Sequence, residues 1–232
     1  QRRREWRQPL GEHNTDGLLV FSDLLEAREL TLLFQHGFPV VLLHRSAPVG
    51  TQIPSVRFDN RSGVRKLLEH LIREHGRRRI AFVRGPEGNE DSFARESAYR
   101  EVLEAHEIPL DPALLMENGF TEQGGEAAVQ RLLANNVACD AIFTGDDEAA
   151  AGALLALRRA GKRVPEEIAV VGFDDVPLSR HLNPPLTTVR APIETASYLA
   201  ARQLVRLIRN DTADAVTLLP VELVVRQSCG CP

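Results

Sequence analysis

The sequence predicts an α/β protein built on parallel sheets. Short continuous apolar runs alternate with longer amphipathic stretches, the pattern of strands buried on both faces between helices. The residues directly after each apolar run are polar, where open parallel sheets place their ligand-facing groups. Composition agrees: 43% hydrophobic and 26% charged residues over 232 positions suit one large domain or two smaller lobes and exclude disordered, collagen-like and fibrous chains.

Taken in order, the strands are expected at residues 18–21, 40–43, 80–83, 141–143 and 168–172, with a weaker one at 223–225. Helices are expected at 26–36, 63–75, 95–106, 124–135, 148–160 and 193–209. The first stops at Gly37 and Pro39, the second at Gly76 and the fifth at Gly161 and Pro165, each residue breaking the helical repeat. Ser55-Val56-Arg57-Phe58 running into Asp59-Asn60, and Leu186-Thr187-Thr188-Val189 bracketed by Pro184, Pro185 and Pro192, suit extended connectors between lobes, because proline forces extension on its predecessor and removes a donor. A bilobed body follows.

No apolar run approaches the roughly eighteen residues that cross a bilayer, and the arginine-rich start has no apolar core of a leader behind it. The chain is therefore expected to be neither membrane-inserted nor exported. A net charge of -4 argues against this segment holding nucleic acid alone. Cys139, Cys229 and Cys231 are an odd set with no disulfide framework, so a reducing, cytoplasmic setting is expected and the Cys229-Gly230-Cys231 tail reads as free thiols.

The polar groups past the strands are Ser22-Asp23, His44-Arg45, Arg84, Gly145-Asp146-Asp147 and Asp174-Asp175. Asp23, Asp147 and Asp175 read as caps of the following helices. Asp146 and Asp174, each the first carboxylate of its pair, are left for either capping or binding. Catalysis lacks a signature: no Gly-x-Ser-x-Gly elbow, no phosphate-cradling Gly-x-x-x-x-Gly-Lys loop and no Gly-x-Gly-x-x-Gly turn occurs. The histidines, His13, His36, His44, His70, His75, His106 and His181, include no His-Glu-x-x-His, so no zinc site is expected. Adjacent Asp174 and Asp175 would point apart in an extended segment, which does not suit paired acid and base work. A binding protein without catalytic residues, metal or cofactor is the expectation.

Several strings are more specific. Asp16-Gly17-Leu18-Leu19-Val20, Val56-x-x-Asp59-Asn60-x-x-Gly63, Gly76-Arg77-Arg78-Arg79-Ile80-Ala81-Phe82-Val83, Arg95-x-x-x-Tyr99, Phe120-Thr121-Glu122, Ala141-Ile142-Phe143-x-x-Asp146-Asp147, Val171-Gly172-Phe173-Asp174-Asp175, Pro184-Pro185-Leu186-Thr187-Thr188-Val189 and Leu223-Val224-Val225-Arg226 occur in this order. From about Asp16 to Ser228 the chain resembles the effector-binding core of the lactose-repressor (LacI/GalR) family of transcription regulators.

The resemblance implies two Rossmann-like lobes with parallel sheets joined by three crossovers, the periplasmic-binding-protein-like type I fold. The lobes would be residues 1–58 with 191–218, an incomplete N-terminal lobe, and 59–190 with 219–232. The third crossover would fall at Leu219-Pro220, where the last helix gives way to the final strand. A small-molecule effector, a sugar or polyol, would bind in the inter-lobe cleft through Arg95, Asp146, Asp174 and Phe120, with His44 and Ser22 from the other lobe. Family members usually carry Asn at the position of Asp146 and an acidic residue at that of His44. Family cores form homodimers, and operator DNA would be met only through a helix-turn-helix headpiece that this chain does not contain. The Arg2-Arg3-Arg4 run would be a solvated helix face. A transport-type sugar-binding protein of the same fold is the alternative.

Overall fold

The computed structural model describes residues 15–22, 24–117 and 119–232. The Arg2-Arg3-Arg4 run, His13 and the expected cap Asp23 lie outside them. The chain divides into two units, Gln1–Arg57 with Glu194–Leu219, and Phe58–Ile193 with Pro220–Pro232. The polypeptide passes between them at three points.

In the first unit, β1 (Leu18–Phe21), β2 (Val40–Leu43) and β3 (Ser55–Phe58) form a sheet in the order β1-β2-β3, in which β2 pairs parallel with both neighbours. Helix α1 (Ala27–Gln35) packs Leu30 into a core of Val20, Phe38, Val40, Leu42 and Ile53. Its start is fixed by reciprocal bonds between Glu26 and Glu29, a capping box that satisfies free N–H groups of the first turn.

The second unit contains α2 (Asn60–His75), β4 (Ile80–Arg84), α3 (Glu90–Ala105), β5 (Leu115–Glu117), α4 (Glu122–Ala134), β6 (Ala141–Thr144), α5 (Asp147–Arg159), β7 (Ala169–Val171) and β8 (Thr188–Arg190). Its sheet runs β5-β4-β6-β7, all parallel. Helix α6 (Ile193–Ile208) and β9 (Val216–Leu219) return to the first unit, where β9 adds beside β3. The chain then comes back as β10 (Glu222–Val224), which pairs antiparallel with β8.

Both faces of the second sheet are buried, the reason its strands read as unbroken apolar runs. One face packs Ala81, Val83, Ile142 and Val170 against Val129 and Leu132 of α4 and Ala153 and Leu157 of α5. On Phe82, the Phe143 ring stacks at 4.7 Å and the Tyr99 ring at 5.2 Å between centroids. The buried Tyr99 hydroxyl donates to the Ile80 carbonyl at 2.8 Å.

The strand-like segment at 55–58 is a sheet strand as well as a connector, its backbone pairing with β2. Two expectations need correction. The short β5, behind a 3-10 turn at Pro112–Leu114, was missed, since three residues are too few to show a period. The region before Leu219–Pro220 is strand β9 and not helix: α6 has already ended, and Asn210, with φ of 57°, turns the chain.

Helices α4 and α5 meet with almost no side-chain layer between them. A Cβ on Gly125 would lie 1.9 Å from the Ala149 carbonyl oxygen, and one on Gly152 would lie 1.8 Å from that of Glu122. Both obstacles are backbone and cannot swing aside. Gly152→Ala is expected to destabilise the fold by about 1–3 kcal/mol or more, despite alanine's better helix propensity. Urea unfolding that finds the variant as stable as the parent would contradict this close packing.

Candidate functional site

Parallel strands deliver the residues that follow them to one edge of the sheet. In the second unit these are Gly85 and Pro86 after β4, Gly145 and Asp146 after β6, and Gly172 to Asp175 after β7. Arg95 reaches the same edge from α3, whose first turn is capped by the Asn89 side chain accepting from the Ser92 N–H at 2.9 Å.

Arg95 is 3% exposed, so its charge must be met inside the protein. Its Nε donates to Asn60 Oδ1 at 2.9 Å, one terminal nitrogen donates to the Gly145 carbonyl, and the other meets Asp174 Oδ1 at 3.3 Å. The guanidinium lies 3.8 Å from the Phe173 ring centroid and 5.6 Å from that of Phe120. Asn60 is fixed in turn by donating to Asp91 at 2.7 Å. Phe120 is half-buried over two glycines: Cβ atoms on Gly85 and Gly145 would fall 2.2 Å and 2.7 Å from its ring atoms. An aromatic face beside a guanidinium and a carboxylate is thereby assembled from separate segments of the chain.

The carboxylates divide their roles differently from the sequence expectation. Asp146, not Asp147, caps α5, accepting from the Ala149 N–H at 2.8 Å. Asp147 is a buried structural acceptor: it takes the Ser179 and Thr188 hydroxyls at 2.5 Å each and the Val176 N–H at 3.0 Å. Asp175 caps no helix. Its side chain is 2% exposed and pairs with Arg226 at 2.5 Å and Arg190 at 2.8 Å, joining the end of β7 to β8 and to the segment after β10. Asp174 points the other way and is 25% exposed. Its φ of 110° is a conformation that L-residues rarely adopt.

Burial pushes the Asp146 carboxyl up to about 7; the Ala149 N–H and Arg95 oppose the shift, and Asp174 adds to it. Asp147 is also pushed up to about 7 by burial, against the pull of Ser179 and Thr188.

The first unit places Ser22 and His44 at neighbouring strand ends, since Phe21 and Leu43 are paired in register. Both have left-handed backbones, with φ of 49° and 61°. The His44 ring lies 4.8 Å from that of Phe21. Arg45 binds the backbone beneath them, donating to the Ser22 and Leu25 carbonyls at 3.0 and 2.7 Å. Non-glycine residues held at positive φ cluster at binding sites, where surrounding structure sustains the strain. Such a signal exists only in coordinates.

Within the second unit, then, the structure brings Arg95, Asp174 and Phe120 together with Asp146 on the adjoining helix terminus, while Ser22 and His44 belong to the other unit. Sequence reasoning missed Asn60 and Phe173 as the groups that orient Arg95, although both stand inside quoted motifs. The tail cysteines are free, as expected, but they are not isolated: Cys229 is wholly buried, and Cys229, Cys231, His70 and His75 converge.

The raised pKa of Asp146 gives a signed test. Its folded value, about 7, lies above the ordinary 3.8, so the fold favours the neutral acid. The stability this contributes is complete below the ordinary value and is lost as pH rises through 7. Asparagine keeps the cap and removes the charge. Asp146→Asn should match the parent near pH 4 and gain on it with rising pH, by roughly 1–3 kcal/mol at pH 8. Parallel stability curves from denaturant titrations across this range would refute the assignment.

Residues 68–229 match the family model for the periplasmic binding protein-like domain. The chain is 37% identical to the HTH-type transcriptional regulator CelR of Thermobifida fusca over 94% of its own length and 64% of CelR's, so it spans about two thirds of that relative. The solved transcriptional regulator CelR-cellobiose complex superposes with a TM-score of 0.84 at 36% identity, over 94% of this chain and 67% of that one. The lac repressor dimer bound to operator and the anti-inducer ONPF gives a TM-score of 0.82 at 25% identity, over 93% and 74%.

Proposed function

The chain belongs to the lactose-repressor (LacI/GalR) family of transcriptional regulators, and from that premise we propose that it is the effector-binding and dimerisation core of such a regulator, with a neutral sugar or polyol as effector. The observation that carries this reading is the buried Arg95, fixed by Asn60 and Phe173 and presenting Asp174 beside the Phe120 ring. Vicinal hydroxyls are read by a carboxylate and a guanidinium, and the apolar face of a sugar ring packs on an aromatic.

Arg95, Asp146, Asp174 and Phe120 are assigned as effector contacts in one lobe, His44 and Ser22 in the other. Differential affinity for two lobe arrangements would shift how a DNA-binding headpiece outside this chain sits on its operator. A homodimer accords with a two-fold operator, a cytoplasmic setting with that role, and no catalytic step is assigned. Among the described residues no helix is long and apolar enough to cross a membrane. The transport-type alternative is set aside, because the relatives named above are transcriptional regulators.

Charge favours a neutral ligand. An anionic sugar would meet the Asp174 carboxylate and, as pH rises through 7, that of Asp146 as well, with Arg95 already committed to Asp174. In a thermal-shift panel of neutral sugars, sugar phosphates and amines, a neutral sugar, with cellobiose as the first probe, should stabilise the protein. A ligand at a hundred times its dissociation constant adds about 2.7 kcal/mol. Selective stabilisation by phosphorylated or carboxylated sugars would overturn the neutral-ligand reading.

Asp174→Ala should weaken binding roughly 10- to 100-fold by calorimetry, the cost of a lost charge-assisted bond of about 1.5–3 kcal/mol. Asp175→Ala should leave affinity nearly intact but destabilise the fold by about 1–3 kcal/mol, because it strands the partly buried Arg226. Equal affinity losses in the two folded variants would defeat the assignment.

A further inference from the structure

We propose that His70, His75, Cys229 and Cys231 form a tetrahedral zinc-type metal site that fastens the C-terminal tail to the end of helix α2. One ligand atom from each lies within 4.8 Å of the others. His70 Nε2 and His75 Nε2 are 3.3 Å apart. Cys231 Sγ lies 3.6 Å from His70 Nε2 and 3.4 Å from His75 Nε2, and Cys229 Sγ lies 3.5 Å from His70 Nε2. A tetrahedral zinc ion, with nitrogen at about 2.0–2.1 Å and sulfur at about 2.3 Å, separates two nitrogens by about 3.3–3.4 Å and a nitrogen from a sulfur by about 3.5–3.6 Å. These four separations match four of the six edges of that tetrahedron.

Hydrogen bonding does not account for the cluster. His70 Nε2 faces His75, Cys229 and Cys231 at once, yet a ring nitrogen offers in its plane either one proton or one lone pair. A cation at the centre satisfies all four groups together. Two thiolates would balance a dication, so the wholly buried Cys229 would carry no uncompensated charge.

Local structure prepares the ligands. His75 is the last residue of α2, and Gly76, with φ of 62°, ends the helix there. A 3-10 turn over Gln227–Cys229 followed by Gly230 at φ of 114° turns both sulfurs to one side. A Cβ on Gly230 would approach His75 Nδ1 to 3.1 Å, so the residue between the cysteines is held to glycine by sterics as well as by backbone. The Thr187 hydroxyl lies 3.1 Å from Cys229 Sγ and 2.9 Å from the Arg226 carbonyl, so its one proton has either as acceptor, and a thiolate would draw it as metal ligands draw outer-shell donors. Thiolate with imidazole selects zinc over magnesium or calcium. Four protein ligands leave no open position, so the role is structural.

The protein purified under reductant should carry one zinc per chain by elemental analysis. Cobalt(II) added to the stripped protein should give thiolate charge-transfer and tetrahedral ligand-field bands. Cys231→Ser and His75→Ala should each weaken metal binding by more than roughly 100-fold, beyond the loss of an outer-shell partner, while Cys139→Ser, outside the cluster, should retain it. Zinc should raise the melting temperature of the stripped parent and not that of Cys231→Ser. The proposal fails if cobalt gives no tetrahedral spectrum, if zinc leaves the parent's melting temperature unmoved, or if the Cys229→Ser/Cys231→Ser double variant still binds one metal.

Discussion

The buried guanidinium of Arg95 is the constraint on which the ligand edge of the second unit depends. A charge with 3% exposure is tolerable only when it is paired and hydrogen-bonded, so its donors need partners. The structure meets them from three directions, with Asn60 on α2, the Gly145 carbonyl after β6 and Asp174 after β7. The same group therefore sets the relative positions of three chain segments and leaves Asp174 half turned to solvent. Stacking on Phe173 fixes the plane of the fork. Loss of the arginine would leave the Asp174 carboxylate and the Asn60 carbonyl without their partner, so the edge is cooperative in a way that no single contact conveys.

The supporting layer beneath that edge is equally polar and equally satisfied. Asp147 gathers a helix start, a 3-10 turn and strand β8 through three acceptor contacts. Asp175 gathers β8 and the segment after β10 through two arginines. Neighbouring carboxylates in each Asp-Asp pair thus face opposite ways, one toward the ligand edge and one into the scaffold. Two acids adjacent in sequence here serve different parts of the structure.

Much of this was legible beforehand, for physical reasons. Strands such as Val40–Leu43 and Ala141–Thr144 announce themselves because both faces are buried, and the helices because their stops are glycines and prolines. Strands β5 and β9 were illegible because three or four residues with mixed exposure carry no period. Among site residues, position after a strand and the family strings pointed to Arg95, Asp146 and Asp174. Which carboxylate of a pair would cap was not legible, since capping depends on backbone angles that Asp-Asp does not encode. The convergence of His70 and His75 with Cys229 and Cys231 was invisible for a different reason: the two halves are about 160 residues apart, and only the antiparallel return of β10 beside β8 carries the tail toward α2.

The cap of α5 has a wider consequence. A carboxyl poised near neutrality, at a helix terminus and beside the proposed ligand groups, would exchange its proton with solvent while it exchanged hydrogen bonds with a ligand. A hydroxyl that donates to it favours the anion, whereas a ligand acceptor favours the acid, so occupancy and protonation are thermodynamically linked. On the proposed reading, the same ligand concentration would fill the site to different extents on the two sides of neutrality.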